Sequence, residues 1–232
     1  AELSGAKFGV FMHELFEKYP VNYDIIIHIM LKYGIDIKYA NDVLSIINKI
    51  FTIPITHKLQ NTQSMINNLH ELQSNSIYEL QFNLFIAKNV NLKIELYKIL
   101  NKYLGSTHPY TIASQEINTN MYQGFLNGII DVVFKFEHKY YILDYKTNII
   151  NHNELIIENA KHHYYLQYFI YLIALKRYLS FRLQQNDIDT LIGGAIYYYI
   201  RGPFIQNSSK DFLYVNTNCQ SIIQELDLLF IQ

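Results

Sequence analysis

Residues 127–148 read NGIIDVVFKFEHKYYILDYKTN, and this stretch decides the fold. Gly128 to Phe136 is apolar and β-branched, as is Tyr140 to Leu143, with the polar Glu137-His138-Lys139 between them. That is the pattern of two antiparallel strands and a short turn. Three ionisable groups interrupt the apolar runs, namely Asp131, Asp144 and Lys146. Side chains two apart on a strand share a face, so Asp144 and Lys146 sit with Ile142, and Asp131 with Ile129 and Val133. If the turn centres on Glu137-His138, Phe136 opposes Lys139 and Asp131 falls directly opposite Asp144. Opposed residues have Cβ atoms roughly 5 Å apart, close enough for both carboxylates to touch one cation. Glu-His is not a favoured two-residue turn. A three-residue loop would make the pair diagonal, still within reach of a shared metal.

Two like-charged carboxylates in a partly buried site are costly unless one protonates or a cation neutralises them. Oxygen ligands at short range suit Mg²⁺ or Mn²⁺. A lysine two residues on is placed to orient an attacking water or to stabilise charge developing at phosphorus. D…D-x-K on adjacent strands is therefore a constellation for phosphodiester hydrolysis. The alternative for the hairpin alone is a pair of surface aspartates beside a salt-bridging lysine.

The 232 residues, 50% of them hydrophobic, suit one sizeable domain with its own core and a helical insertion. The net charge of −1 is low for a free-standing nucleic-acid binder. A DNA substrate would then be met by the metal, by a few Lys or Arg, or by partner surfaces. The single cysteine, Cys219, excludes a disulfide framework and a thiolate metal cluster, and it fits a reducing cytoplasm. No apolar run approaches the roughly 18 residues of a membrane span, and no signal peptide is visible. The chain starts at Ala1, already close to an expected helix, and reads as a piece of a longer protein.

Phe8, Phe11, Met12, Leu15, Phe16 and Tyr19 follow the spacing of an amphipathic helix that Pro20 ends. His13 lies beside this stripe, one turn after Gly9, whose missing side chain clears space near the imidazole. Asp24–Gly34 and Asn41–Phe51 read as further helices, and Ser64–Leu72 as another. Ile77–Ala87 alternates as a strand, with Glu79, Gln81 and Asn83 on one side and Leu80, Phe82 and Leu84 on the other; Glu79 would approach the metal if this strand neighbours the hairpin, although an exposed carboxylate or one that supports the site from outside is the better reading. Leu92–Leu104 is an expected helix closed by Gly105, and Thr111–Asn118 an expected strand that leads through Tyr122-Gln123 to the hairpin. A long helix is expected from Leu155 or Glu158 to Leu183. On it Gln167 and Tyr171 lie one turn apart on one face, suited to a phosphate or a base or simply to a tyrosine-rich core. Asp189–Ile200 reads as a buried strand, Asn207–Lys210 as a polar loop and Phe212–Val215 as a last strand. The terminal helix, Ile222–Phe230, has Ser221 and Gln224 as a candidate capping box.

Four signals form an ordered set: Gly9-x-x-x-His13, Gly128-x-x-Asp131, Asp144-x-Lys146 and Gln167-x-x-x-Tyr171. With their flanks MHELFE, KYYILDYKTN, YYLQYFIYLIALKRYL and GGAIYYYIRG, they resemble the RecB family of nucleases within the PD-(D/E)xK superfamily. The resemblance spans nearly the whole chain and is weakest from Pro20 to Ser76. It implies an α/β fold, a mixed central sheet flanked by helices. An N-terminal helical portion over 1–75 would bring in His13, and the nuclease core would occupy 76–232. It further implies that His13, Asp131, Asp144 and the Tyr145 backbone carbonyl bind Mg²⁺, with Mn²⁺ able to substitute. Lys146 would position or activate water, and Gln167 and Tyr171 would contact DNA or support the centre. The cluster-bearing branches hold iron–sulfur with four cysteines, which this chain does not have. The implied function is the nuclease part of a RecBCD-type helicase-nuclease that acts on single strands from an unwound DNA end in break repair and recombination. RecC-like and RecD-like subunits, and a helicase domain of the same full-length chain, would be its partners. Two alternatives stand beside this. One is a RecC-like inactive module for DNA or subunit binding; the other is an AddA-type or stand-alone exonuclease.

Overall fold

The hairpin forms in the first of the two anticipated registers. β2 (Phe125–Phe136) and β3 (Lys139–Lys146) pair antiparallel with Phe136 opposite Lys139 and Val132 opposite Leu143, so Asp131 and Asp144 meet one step beyond the last bonded pair. The unfavoured turn is held from outside. Glu137 adopts a left-handed conformation (φ 53°), and its carboxylate accepts the backbone N–H groups of Gln63 and Ser64 at 2.8 and 2.7 Å. The computed structural model describes residues 5–55, 58–59, 62–86, 90–118, 124–150, 154–184, 187–202 and 213–231. The expected loop at Asn207–Lys210, the Tyr122-Gln123 link and Phe212 lie outside them.

Among the described residues six strands form one mixed sheet in the order β5-β4-β3-β2-β1-β6. β1 (Ser76–Ile86) is antiparallel to β2, and β4 (Ile192–Tyr199) runs parallel to β3. β5 (Leu213–Asn216) and the short β6 (Phe230–Ile231) are the edges. Parallel pairing of β3 and β4 requires a crossover, and α6 (Leu155–Lys161) and α7 (Tyr164–Leu183) supply it. One face packs on α7, α4 (Leu92–Leu104) and α8 (Gln220–Asp227) through Leu96, Leu100, Phe169, Leu172 and Ile223. The other packs on α1 (Gly5–Glu17), α2 (Tyr23–Lys32) and α3 (Ala40–Thr52) through Phe11, Phe16, Ile29, Ile47 and Phe51. Both layers of helices thus bury apolar stripes on the same sheet, as an α/β domain requires. Among the described residues no helix is long and apolar enough to cross a membrane.

Several expectations need correction. The proposed strand at Thr111–Asn118 is instead α5 (Pro109–Ser114), because Pro109 opens the helix and the His108 side chain accepts the Tyr110 N–H. The helix expected at Ser64–Leu72 shrinks to a 3₁₀ segment, Leu69–Asn75, capped by Asn68. The long helix after the hairpin is broken at His162-His163, where His163 turns left-handed (φ 53°). Its second half, α7, is buried on nearly all sides through its first three turns rather than along one stripe. β4 begins at Ile192, after a 3₁₀ turn over Ile188–Leu191. The terminal helix starts at Gln220, so Ser221 lies inside it and caps nothing, and Phe230 belongs to β6.

Gly193 has a packing reason: a Cβ there would lie 2.3 Å from the Tyr141 ring, which rests on β4 at that point. Gly9 has no such need, since its Cβ would make an ordinary 3.6 Å contact with Thr147 Oγ1.

Candidate active site

The sheet changes hand where Asp131 sits. On a regular strand residues two apart share a face, yet Ile130 packs on the α7 side and Val132 on the α1 side. On β1 the same switch separates Leu80 from Tyr78. Glu79, between them, has φ 54° and lies in register with Asp131. The distortion frees Asp131 from either core. Beyond the last β2–β3 pair, the Tyr145 N–H turns to Asp131 Oδ2 at 3.0 Å. His13 Nδ1 reaches the same oxygen at 3.1 Å from α1. The apolar stripe of α1 holds that helix against β3, where Phe16 and Tyr145 rings lie 4.3 Å apart.

Asp144 and Lys146 follow regular alternation onto the α7 side and are almost fully buried, at 2% and 8% exposure. Lys146 Nζ lies 2.6 Å from Asp144 Oδ1 and donates to Gln167 Oε1 at 2.8 Å. It also sits over the Tyr164 and Tyr197 rings, 4.0 and 4.6 Å from their centroids. Gln167 Oε1 accepts a second bond from Tyr197 OH at 2.7 Å, and its Nε2 donates to Tyr171 OH at 2.9 Å. The amide is therefore held with its oxygen toward the lysine. A buried ammonium surrounded by a carboxylate, an amide oxygen and two π faces keeps one position.

The charges interact. Burial, then the neighbouring charge of Asp131, pushes the Asp144 carboxyl up to about 6, against the pull of Lys146 and His13. Burial pulls the His13 imidazole down, but its hydrogen bond to Asp131 and the charges of Asp131 and Asp144 outweigh that, so the net shift is upward. Glu79 is also raised, by burial and then by Asp131. Three carboxyls thus crowd around one lysine and one imidazole.

The donors suit a divalent cation in chemistry. Asp144 Oδ1 is buried, in contact with the Lys146 ammonium at 2.6 Å. Two carboxylates and an imidazole are an oxygen-rich set of the kind Mg²⁺ and Mn²⁺ take. They do not form a ready cage: among the described residues no three His, Cys, Asp or Glu side chains converge on one point. His13 and Asp131 face each other, and Asp144 faces Lys146. Binding an ion would exchange those internal contacts for the metal.

The expected site side chains fall into two linked groups, His13 with Asp131, and Asp144 with Lys146, Gln167 and Tyr171, while Tyr145 meets Asp131 through its N–H rather than its carbonyl. Glu79 takes the neighbouring position that adjacency to the hairpin implied. Tyr164 and Tyr197 were missed as parts of the lysine cage. Their signal was weak, because they are two of 21 tyrosines and lie in apolar runs that read as core.

The family profile described as the PD-(D/E)XK nuclease superfamily matches residues 1–225. The RecBCD enzyme subunit RecB of Buchnera aphidicola subsp. Acyrthosiphon pisum is 30% identical over 236 aligned residues, covering 97% of this chain and 19% of that protein. The same subunit from Buchnera aphidicola subsp. Schizaphis graminum is 32% identical, covering 95% and 19%. That of Escherichia coli K12 is 31% identical over half of this chain. The chain thus spans about a fifth of the length of the two Buchnera relatives. The hairpin with its two aspartates and lysine, the supporting glutamine and tyrosine, and the matched profile agree: this chain belongs to the PD-(D/E)XK nuclease superfamily.

Proposed function

We propose that this chain is a divalent-metal-dependent deoxyribonuclease domain that hydrolyses phosphodiester bonds of single strands released from an unwound DNA end. The observation that carries the reading is the fixed, buried Lys146 ammonium beside Asp144, with Asp131 on the neighbouring strand and His13 reaching it from α1. His13, Asp131 and Asp144, with the Tyr145 backbone carbonyl, would hold Mg²⁺, and Mn²⁺ would substitute. When bound, the ion supplies charge neutralisation and polarisation of the phosphate. Lys146 positions the attacking water and stabilises the charge that develops on the phosphate oxygens. Gln167 holds Lys146 in place, and Tyr171 holds Gln167. Hydrolysis adds the elements of water across one P–O bond, and the leaving oxygen takes the proton.

By similarity to the RecB subunits, the domain works in a RecBCD-type helicase-nuclease during double-strand-break repair and recombination, in the cytoplasm. RecC-like and RecD-like subunits, and a helicase domain in the same full-length chain, deliver its strand. The near-neutral charge supports that arrangement, because a domain fed by its partners need not grip DNA alone. We read residues 1–232 as one unit, in which the helical portion over 1–75 completes the core over 76–232. The test is cleavage of linear single-stranded DNA with Mg²⁺, with Mn²⁺ and with EDTA, beside Lys146→Ala and Asp144→Ala. Metal-dependent cleavage lost in both variants is the expected result. A folded chain that binds no divalent ion would overturn the reading in favour of a non-catalytic module.

A further inference from the structure

A cleft of about 530 Å³ opens on the far side of the lysine cage, and Tyr164, Gln167 and Tyr171 are part of its wall. The side chains that hold Lys146 therefore also line this space, so whatever occupies it lies against the lysine cage. Its floor is apolar. Phe82 lies there, edge to face with Tyr171 at 5.5 Å, with Leu126 beside it. The floor depends on Gly128, since a Cβ at that position would come within 2.6 Å of the Phe82 ring. This gives the motif glycine three residues before Asp131 a physical role. At one wall the His162 and Tyr164 rings stack, 5.2 Å apart and 23° from parallel. The break between α6 and α7 at His163 brings these two rings to that wall.

The lining discriminates between the parts of a nucleotide. Among the described lining residues there is no Lys or Arg, and Glu116 adds a carboxylate, so the cleft does not favour a phosphate. Aromatic faces, an apolar floor and a few amides are what an uncharged base requires. The volume lies within the range of small-ligand clefts, about 300–1,000 Å³. A base inside a duplex reaches such a cleft only by unstacking and unpairing, whereas a single strand presents it without that cost. From this we infer that the cleft is a base-binding subsite that seats the nucleotide next to the scissile phosphate and selects single strands over duplex. The inference rests on the nuclease reading for the identity of its ligand.

The test separates the two. The 232-residue chain is mixed in EDTA, where no cleavage occurs, with a single strand of about twelve 5-iododeoxyuridine residues, irradiated and mapped by peptide mass spectrometry. The expected cross-links fall on Phe82, His162 or Tyr164, and a pre-formed duplex of the same strand gives none there. His162→Ala removes one stacking ring, and Leu126→Trp narrows the cleft from its half-buried floor. Each lowers the cross-link yield in the cleft fivefold or more. With metal present, both variants raise KM about tenfold while kcat stays within twofold of the parent, as expected for the loss of one stacked base. Cross-links confined to other surfaces, equal labelling by duplex, or variants that lower kcat at unchanged KM would each overturn the subsite. Cross-linking in the cleft without cleavage under any metal would count against the nuclease reading alone.

Discussion

Replacing Asp144 by asparagine tests the electrostatics of the site without any metal. In the folded chain its carboxyl sits at about 6, against an ordinary value of 3.8. A carboxyl with a raised folded value binds its proton more tightly in the native state. Its contribution to stability is therefore present at low pH, and is lost as pH rises from the unfolded value through the folded one. Integrated between pH 4 and pH 7.5 at about 1.4 kcal/mol per decade, that gap removes about 2–3 kcal/mol from the parent chain. Asparagine does not titrate. Whatever its fixed packing difference, the variant should gain about 2–3 kcal/mol on the parent between those two pH values. His13, also raised, contributes stability below its ordinary value of 6.5 that is lost above its folded value; Asp144 is one cause of that raise, so the variant keeps a smaller slope of the same sign. Urea unfolding in EDTA at pH 4, 5, 6 and 7.5 gives the comparison. A stability difference that stays constant with pH would refute the account of Asp144 as a carboxylate strained by burial and by Asp131.

Added Mn²⁺ should reverse that slope, because the ion requires Asp144 ionised and His13 neutral. Calorimetric affinity should rise about tenfold or more between pH 5 and pH 7 in the parent, and much less in Asp144→Asn. Gln167→Ala should leave the fold intact but release Lys146, lowering kcat about 10- to 100-fold; Tyr197→Phe, which removes one of the two bonds to the Gln167 oxygen, should cost less, and single-turnover cleavage would rank them. Gly193→Ala should destabilise the chain by about 3 kcal/mol, since the added Cβ meets the Tyr141 ring at 2.3 Å. Gly9→Ala should stabilise it by about 0.5–1 kcal/mol through helix propensity, its Cβ meeting Thr147 only at contact distance. Thermal denaturation of the two would fail this reasoning if their order were reversed.

Much of the site was legible because it is local. Asp131, the turn, Asp144 and Lys146 lie within 16 consecutive residues, and the period of two in a strand sets their faces directly. The i, i+4 spacing placed Gln167 and Tyr171 together on α7 in the same way. His13 is farther away in sequence, and its place became clear only with the other motifs in order beside it.

What the sequence determined by itself was the hairpin, the nearness of its two carboxylates, the helical character of α1 to α4 and the superfamily resemblance, since each follows from short-range periodicity or a short motif. The tertiary structure alone decided the rest. The switch of faces at Glu79 and Asp131 arises because each strand is pulled between two cores, which no single strand records. Pro109 and the His108 cap outweighed the apolar pattern that suggested a strand. The cage around Lys146 takes Tyr164 from one helix and Tyr197 from a strand 33 residues later. The cleft beside it depends on Phe82 crossing to Gly128 from the neighbouring strand. Contacts between segments far apart in the chain depend on packing, and packing leaves no periodicity in sequence from which it can be read.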